Sequence, residues 1–389
     1  MRGRRAQAAG LEGLTYVERQ LMSVNPFVSK PPSGESSSGE GAVTPRHMDY
    51  EEVGLVDRAQ LSRSLARVYG KTYGALVTSC SAALDLSFRV LGIERGALVL
   101  LPDNCCHDVP ASVLRAGATP LFVSVGEDLV LTPGRVASVA AEHRVAAVIA
   151  IHQHGLPCDV AGIRGALGPQ TPIIEDAAQA WRLMARSRPI GAASDVVVTS
   201  FGDRKPLSIG EGGGAFSDDA AIERAIDRWS PGQRTRTEPV LPWALSGRAL
   251  RHLPAALPRA DALIERRRRF VGQAISRLAD AGLDPFRPAP GDDPSWHLLP
   301  IRMGRDAALS DFCAQLPEAD PLSIGRPYLT PLSDLPMFQG RAAVASQPEE
   351  HAGLSRCLLM ATDLDASIEP VFDAFLRAVE RRRRALGEG

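Results

Sequence analysis

Between about residue 75 and residue 200, short apolar runs rich in β-branched residues alternate with amphipathic stretches. This rhythm narrows the folds open to the chain more than any other feature. It predicts strands at Ala75–Thr78, Ala97–Leu101, Thr119–Val125, Val145–Ile151, Pro172–Glu175 and Asp195–Ser200. Helices are predicted over Ser79–Leu91, Val109–Ala116, Pro133–His143 and Val160–Leu167. Strands that alternate with helices imply an α/β fold, with a mainly parallel central sheet and helices on both faces. In such sheets a ligand sits at the carboxyl ends of the strands. Four strand exits carry the chemistry worth weighing: Asp103–His107, His152–His154, Asp176–Gln179 and Ser200–Lys205.

The 389 residues suffice for a large core, and the texture divides them into three parts. Residues 1–50 form an N-terminal extension with a polar, low-complexity linker, Pro31–Gly41, expected to be disordered; a short helix is possible at Leu14–Met22. Residues 51–240 hold the strand–helix alternation, and order is expected to begin near Asp57, where Leu61, Leu65 and Val68 fall at helical spacing. Residues 241–389 read as a smaller α+β domain. A long helix over Ala260–Ala281 is followed by a strand at His297–Met303, a helix at Ala307–Leu316, a Pro-rich passage at Arg326–Met337 and a terminal helix at Ile368–Leu386.

With a formal net charge of −1, no global field attracts nucleic acid or a membrane surface. Two Glu-Arg-Arg-Arg-Arg runs, Glu265–Arg269 and Glu380–Arg384, read as solvated helix faces. Six cysteines without CxxC spacing suit reduced thiols in a cytoplasmic protein, and no apolar run is long enough for a membrane span.

The stretch Ser200–Gly214, SFGDRKPLSIGEGGG, follows a buried-strand pattern and holds one lysine, Lys205. Pro206 keeps Lys205 out of helical geometry, and a lysine leaving a buried strand can shed water and act as a nucleophile. A solvated lysine in a Gly-rich loop fits the same segment. In Ile173–Gln179, IIEDAAQ, Asp176 ends a buried strand and needs a cationic or hydrogen-bonding partner; a helix cap is the plainer alternative. Thr78–Leu84, TSCSAAL, is a small-residue turn entering a helix, suited to a phosphate or to a simple N-cap. Cys105-Cys106-His107 with His152-Gln153-His154 offers awkward geometry for zinc and no supporting carboxylate, so no metal is expected.

Taken in order, these segments resemble the DegT/StrS family of pyridoxal-phosphate (PLP) sugar aminotransferases, fold type I. The passages TSCSAALDLSFRVLGIERG, RAGATPLFVSV, AVIAIHQHGLPCDV, IIEDAAQAW and SFGDRKPLSIGEGGG carry the resemblance from about Leu61 to Trp229. It implies Lys205 as the Schiff-base lysine and proton shuttle, Asp176 beside the pyridine nitrogen and Gln179 beside the phenolic oxygen. It implies Ser200, Ser81 and the backbone at Cys80 as phosphate ligands. Cys106 stands where an aromatic ring usually stacks on the cofactor, with His107 beside it as a substitute. Cys80-Ser81 replaces the usual Gly-Thr, and Trp181-Arg182 replaces His-Gly. His154, Arg326 and Tyr328 fall in passages that resemble substrate-contacting regions. The resemblance further implies a keto substrate of sugar-like character, an amino donor such as glutamate, and a homodimer; a PLP enzyme with non-transamination chemistry and a non-catalytic binding or scaffold protein of the same fold are the alternatives.

Overall fold

The computed structural model describes residues 58–229, 244–302, 324, 328, 330–345, 354, 356–362 and 369–385. The expected linker and Leu14–Met22 helix, the helix at Ala307–Leu316, and Arg326 lie outside these residues.

An opening helix, α1 (Arg58–Val68), buries Leu61 and Leu65 as its spacing predicts. The strand–helix alternation then gives β1 (Tyr73–Val77), α2 (Cys80–Val90), β2 (Leu98–Pro102), α3 (Asp108–Arg115), β3 (Thr119–Val123) and α4 (Pro133–Glu142). It continues through β4 (Val145–Ile151), α5 (Val160–Leu167), β5 (Ile173–Asp176), the small hairpin β6 (Met184–Ala185) and β7 (Arg188–Pro189), and β8 (Val196–Ser200). Next come β9 (Gly213–Ser217), α6 (Ala221–Trp229), a short α7 (Gly247–Leu250) and the long α8 (Leu253–Asp280). The described chain ends with β10 (Asp284–Pro285), β11 (Leu298–Arg302), β12 (Ala343–Val344), β13 (Cys357–Ala361) and α9 (Glu369–Ala385).

Eight strands form one sheet in the order β1-β9-β8-β5-β4-β2-β3-β12. Pairings from β8 to β12 are parallel, and β9 runs antiparallel to both β8 and β1. Because side chains alternate along a strand, the sheet feeds two cores. Val99, Leu101, Ile149, Ile151 and Val198 face α2, α3 and α6. Leu100, Leu121, Val148 and Ile173 face α4, α5, α8 and α9. Helices thus cover both faces, as the alternation requires. A second, antiparallel sheet of three strands, β10-β11-β13, packs its apolar residues into the latter core.

Helix α8 begins earlier than its prolines suggest: Pro254 occupies the first turn, where a missing N–H costs nothing, and Pro258 lies inside the helix, where one backbone bond is forgone. The reading of Glu265–Arg269 as a wholly solvated face needs correction. Arg267 is buried, because it falls on the stripe of Ile264, Val271, Ala274 and Leu278 that α8 turns inward. Its neighbour Arg268 behaves as expected, pairing with Glu265 at 3.1 Å and with Asp293 at 2.7 Å.

Candidate active site

Strand β8 is buried along Val196–Thr199, and its exit opens into the loop that carries Lys205. The loop is closed on itself: the Phe201 N–H donates to Gly212 O at 2.8 Å and the Ile209 N–H to Phe201 O at 2.9 Å. Within it the Lys205 N–H donates to Gly202 O at 3.2 Å, and Arg204, at φ +63°, makes the left-handed step that turns the chain into the lysine. The ε-amine enters a cavity of about 180 Å³ shared with Asp176, Gln179, Ser81, Ser200 and Cys106.

Asp176 closes β5, the strand paired in parallel with β8. Only 3% of it is exposed, and it accepts the Ala178 N–H at 2.8 Å. Burial pushes its carboxyl up, opposed by the Ala178 N–H and by the positive charge of Lys205. The preceding residue points the opposite way, as strand geometry demands. Glu175 accepts from His152 Nε2 at 2.8 Å, Ser194 Oγ at 2.6 Å and the Gly191 N–H at 2.9 Å. Burial alone would raise its carboxyl, but the His152 contact and the other donors hold it below the usual glutamate range. His152 Nδ1 accepts the Cys158 N–H at 3.1 Å, so its proton resides on Nε2, facing Glu175.

The third wall is the N-terminus of α2. Ser79 caps it, accepting the Ala82 N–H at 3.0 Å while its carbonyl takes the Ala83 N–H. Cys80 and Ser81, the first two residues of α2, have N–H groups without a partner inside the helix, and both residues line the cavity, where a helix N-terminus favours negative charge. This approach depends on Gly213 in β9. A Cβ there would stand 2.6 Å from Cys80 N, Ser79 C and Thr199 O, all backbone atoms. The glycine run of Gly212–Gly214 therefore earns its place by closeness, which the sequence suggested.

Gln179 is oriented from behind: its Oε1 accepts the His154 N–H at 2.6 Å, which leaves its amide N–H groups for the cavity. The Ser200 hydroxyl lies at the same wall as Lys205 and accepts the Gly202 N–H at 3.3 Å. Cys80 and Cys106 both line the cavity; burial, with Asp176 adding to it, pushes the Cys80 thiol up, and burial with Asp108 pushes Cys106 up to about 11.

Three of the expected residues sit elsewhere. His107, in α-region backbone geometry just before α3, points its Nε2 to Asp108 at 3.5 Å and does not line the cavity, which corrects its expected stacking place. His154 has φ +60° and a fully buried ring whose two nitrogens have no hydrogen-bond partner; burial lowers it to about 3. It touches the site through its backbone, not its ring. Tyr328 lies with its ring centroid 6.2 Å from that of His154, and burial, then the neighbouring Cys106, raise its phenol. Cys105, Asp108 and Gln153 line the cavity without having been singled out as ligands. Trp181-Arg182 forms a clamp on α8: Trp181 Nε1 donates to Asp261 at 2.7 Å and Arg182 Nε at 3.1 Å. Arg182 has φ +53°, which explains why relatives are expected to carry glycine there.

The donor set fits PLP: a lysine amine, a buried carboxylate on the adjacent strand, and free N–H groups with serine hydroxyls at a helix N-terminus. Fold and cavity together are those of a fold type I PLP-dependent enzyme, an aminotransferase. The chain belongs to the DegT/DnrJ/EryC1/StrS aminotransferase family, whose model matches residues 56–363. Among solved structures it is similar to DesV of S. venezuelae, determined in complex with a ketimine intermediate, at 26% identity and TM-score 0.73 over 83% of this chain and 88% of that one. It shares the fold of the putative sugar aminotransferase Spr1654 of Streptococcus pneumoniae in its PMP form, at 19% identity and TM-score 0.74 over 85% and 91% of the two chains. It also shares the fold of 3-amino-5-hydroxybenzoic acid synthase, at 22% identity and TM-score 0.71 over 85% and 90%.

Proposed function

We propose that this aminotransferase converts a keto group of a sugar, nucleotide-linked or otherwise cyclic, to an amine, drawing nitrogen from a donor such as glutamate. The observation that carries the reading is the convergence of Lys205 and Asp176, from adjacent parallel strands, on one cavity edged by the α2 N-terminus. The family membership and the fold shared with proteins named as sugar aminotransferases support the substrate class.

PLP, when bound, supplies an electron sink for charge left on a carbon beside nitrogen. The protein's part is positioning and proton transfer. Lys205 would anchor the cofactor and, once released, would remove a proton from the carbon bearing the substrate nitrogen and deliver it to the cofactor carbon on the other side of that nitrogen. Asp176 keeps the pyridine nitrogen protonated, and that positive partner relieves the burial that now raises its own carboxyl. Ser81, Ser200 and the Cys80 N–H hold the phosphate; the amide of Gln179 faces the phenolic oxygen. Cys106, which lines the cavity with Tyr328 near it, would stand against the ring face in place of an aromatic. The two-part division at about residue 240, a homodimer and a cytoplasmic location belong to the same proposal. The five described cysteines are all free thiols, and no helix among the described residues is long and apolar enough to cross a membrane.

Borohydride reduction of the PLP-loaded protein is expected to fix the cofactor to Lys205, and Lys205→Ala to abolish fixation. Glutamate or another amino acid should convert the visible spectrum to that of the pyridoxamine form, and a keto-sugar should reverse it. Labelling of a different lysine, or no spectral change with any common amino acid, would defeat the reading. Sedimentation at micromolar concentration tests the dimer.

A further inference from the structure

We infer that Gln153 is a second hydrogen-bond donor to the cofactor's phenolic oxygen, an inference that rests on the proposed roles of Asp176 and Gln179. Gln153 leaves β4, the strand paired with β5 such that Ile151 lies opposite Asp176. The His152 N–H donates to Asp176 O at 3.1 Å, which holds the two strand exits together beyond the last pair. The next residue but one, His154, gives its N–H to Gln179 Oε1. Gln153 therefore sits at the same edge of the cavity as Asp176 and Gln179. Ser79, Ser81 and the α2 N-terminus form the anion-binding wall of that cavity.

The side chain of Gln153 lines the cavity and is 1% exposed, yet its Nε2 makes no hydrogen bond. Its two neighbours differ: His152 has both ring nitrogens engaged, by Glu175 and by the Cys158 N–H, whereas His154 leaves both of its own without a partner but does not line the cavity. A buried amide left without a partner is costly, and such groups in native proteins usually face something that completes them. With Asp176 and Gln179 in their proposed roles, the ring side that carries the pyridine nitrogen and the phenolic oxygen would face this edge. Asp176 takes the nitrogen. The phenolic oxygen is an acceptor, and an amide N–H is what Gln153 lacks a use for. Two donors, from Gln179 and Gln153, would stabilise that oxygen in its negatively charged form and lower the pH at which the lysine-bound cofactor loses its proton.

The test compares wild type, Gln153→Leu and Gln153→Glu, each as apoprotein and loaded with PLP. Three quantities are read: the apoprotein melting temperature, the PLP dissociation constant, and the pH midpoint of the visible-absorbance change. Gln153→Leu removes an unsatisfied buried amide, so the apoprotein should melt no lower than wild type. It should bind PLP about tenfold more weakly and move the pH midpoint upward. Gln153→Glu keeps the size but brings a negative charge to the oxygen, so its midpoint should rise further. An unchanged midpoint in both variants, or equal destabilisation of apoprotein and loaded protein, would overturn the inference and make Gln153 a structural residue. A wild type that does not take PLP on Lys205 would instead defeat the underlying assignment, and with it this one.

Discussion

Glu175 and Asp176 are neighbours in sequence with opposite electrostatic fates, because alternation along β5 sends one into a satisfied network and the other to the cavity. Glu175 is held below its ordinary value, so its contribution to stability is complete above the unfolded value of 4.5 and is lost as pH falls through the folded one. Glu175→Gln should cost about 2–4 kcal/mol near neutrality. Denaturant melts of the two proteins should converge as pH drops below that window; a constant difference would contradict the account. Asp176 is raised by burial, so the sign reverses: its stabilisation of the apoprotein is present at low pH and is lost as pH rises through the folded value. Asp176→Asn should therefore leave the apoprotein at least as stable at neutral pH, flatten that pH dependence, and still bind PLP while slowing the half-reaction by orders of magnitude. Full activity of this variant would remove Asp176 from its assigned role. At this scale the sequence exposed Asp176, at the end of a short strand run, and Lys205, the one lysine of the loop that follows the next strand. It could not expose Gln153, whose meaning lies in an unused hydrogen-bond donor. Nor could it expose the Glu175 network, whose partners Gly191 and Ser194 lie across a loop.

The elements were legible where periodicity was long, and Val145–Ile151 and Val160–Leu167 match their predicted limits. Strand β9 was not, because Gly213–Ser217, GGAFS, has the composition of a loop. It is a strand because β1 and β8 hydrogen-bond to it on either side and bury it throughout. One of the glycines that hide the strand, Gly213, admits the α2 N-terminus. Gly213→Ala must displace backbone, and is expected to cost about 1–3 kcal/mol and to weaken PLP binding more than it lowers the apoprotein's stability. Equal losses in thermal melts with and without PLP would show that the glycine serves only the sheet. The Trp181–Asp261 contact makes a separable prediction. Asp261→Ala leaves the buried Trp181 Nε1 without its acceptor, so stability should fall by about 1–2 kcal/mol while the PLP absorbance is retained.

Across the whole molecule, the sheet separates two cores, and the cavity lies at the carboxyl ends of β4, β5 and β8, where the alternating pattern placed it. What the pattern could not reveal is the order of strands, because sheet neighbours are set by pairings between distant segments rather than by local spacing. Among the described residues, β1 has β9 as its one sheet neighbour, with Tyr73 opposite Ser217 and Val77 opposite Gly213. Strand β1 must therefore wait for a partner made long after it. Helix α2, carried directly behind β1, waits with it, and so does the anion-binding wall of the cavity. A nascent chain halted before Gly213 would hold Asp176 and Lys205 but not the proposed seat for the phosphate, which would make cofactor capture a late event in the protein's synthesis.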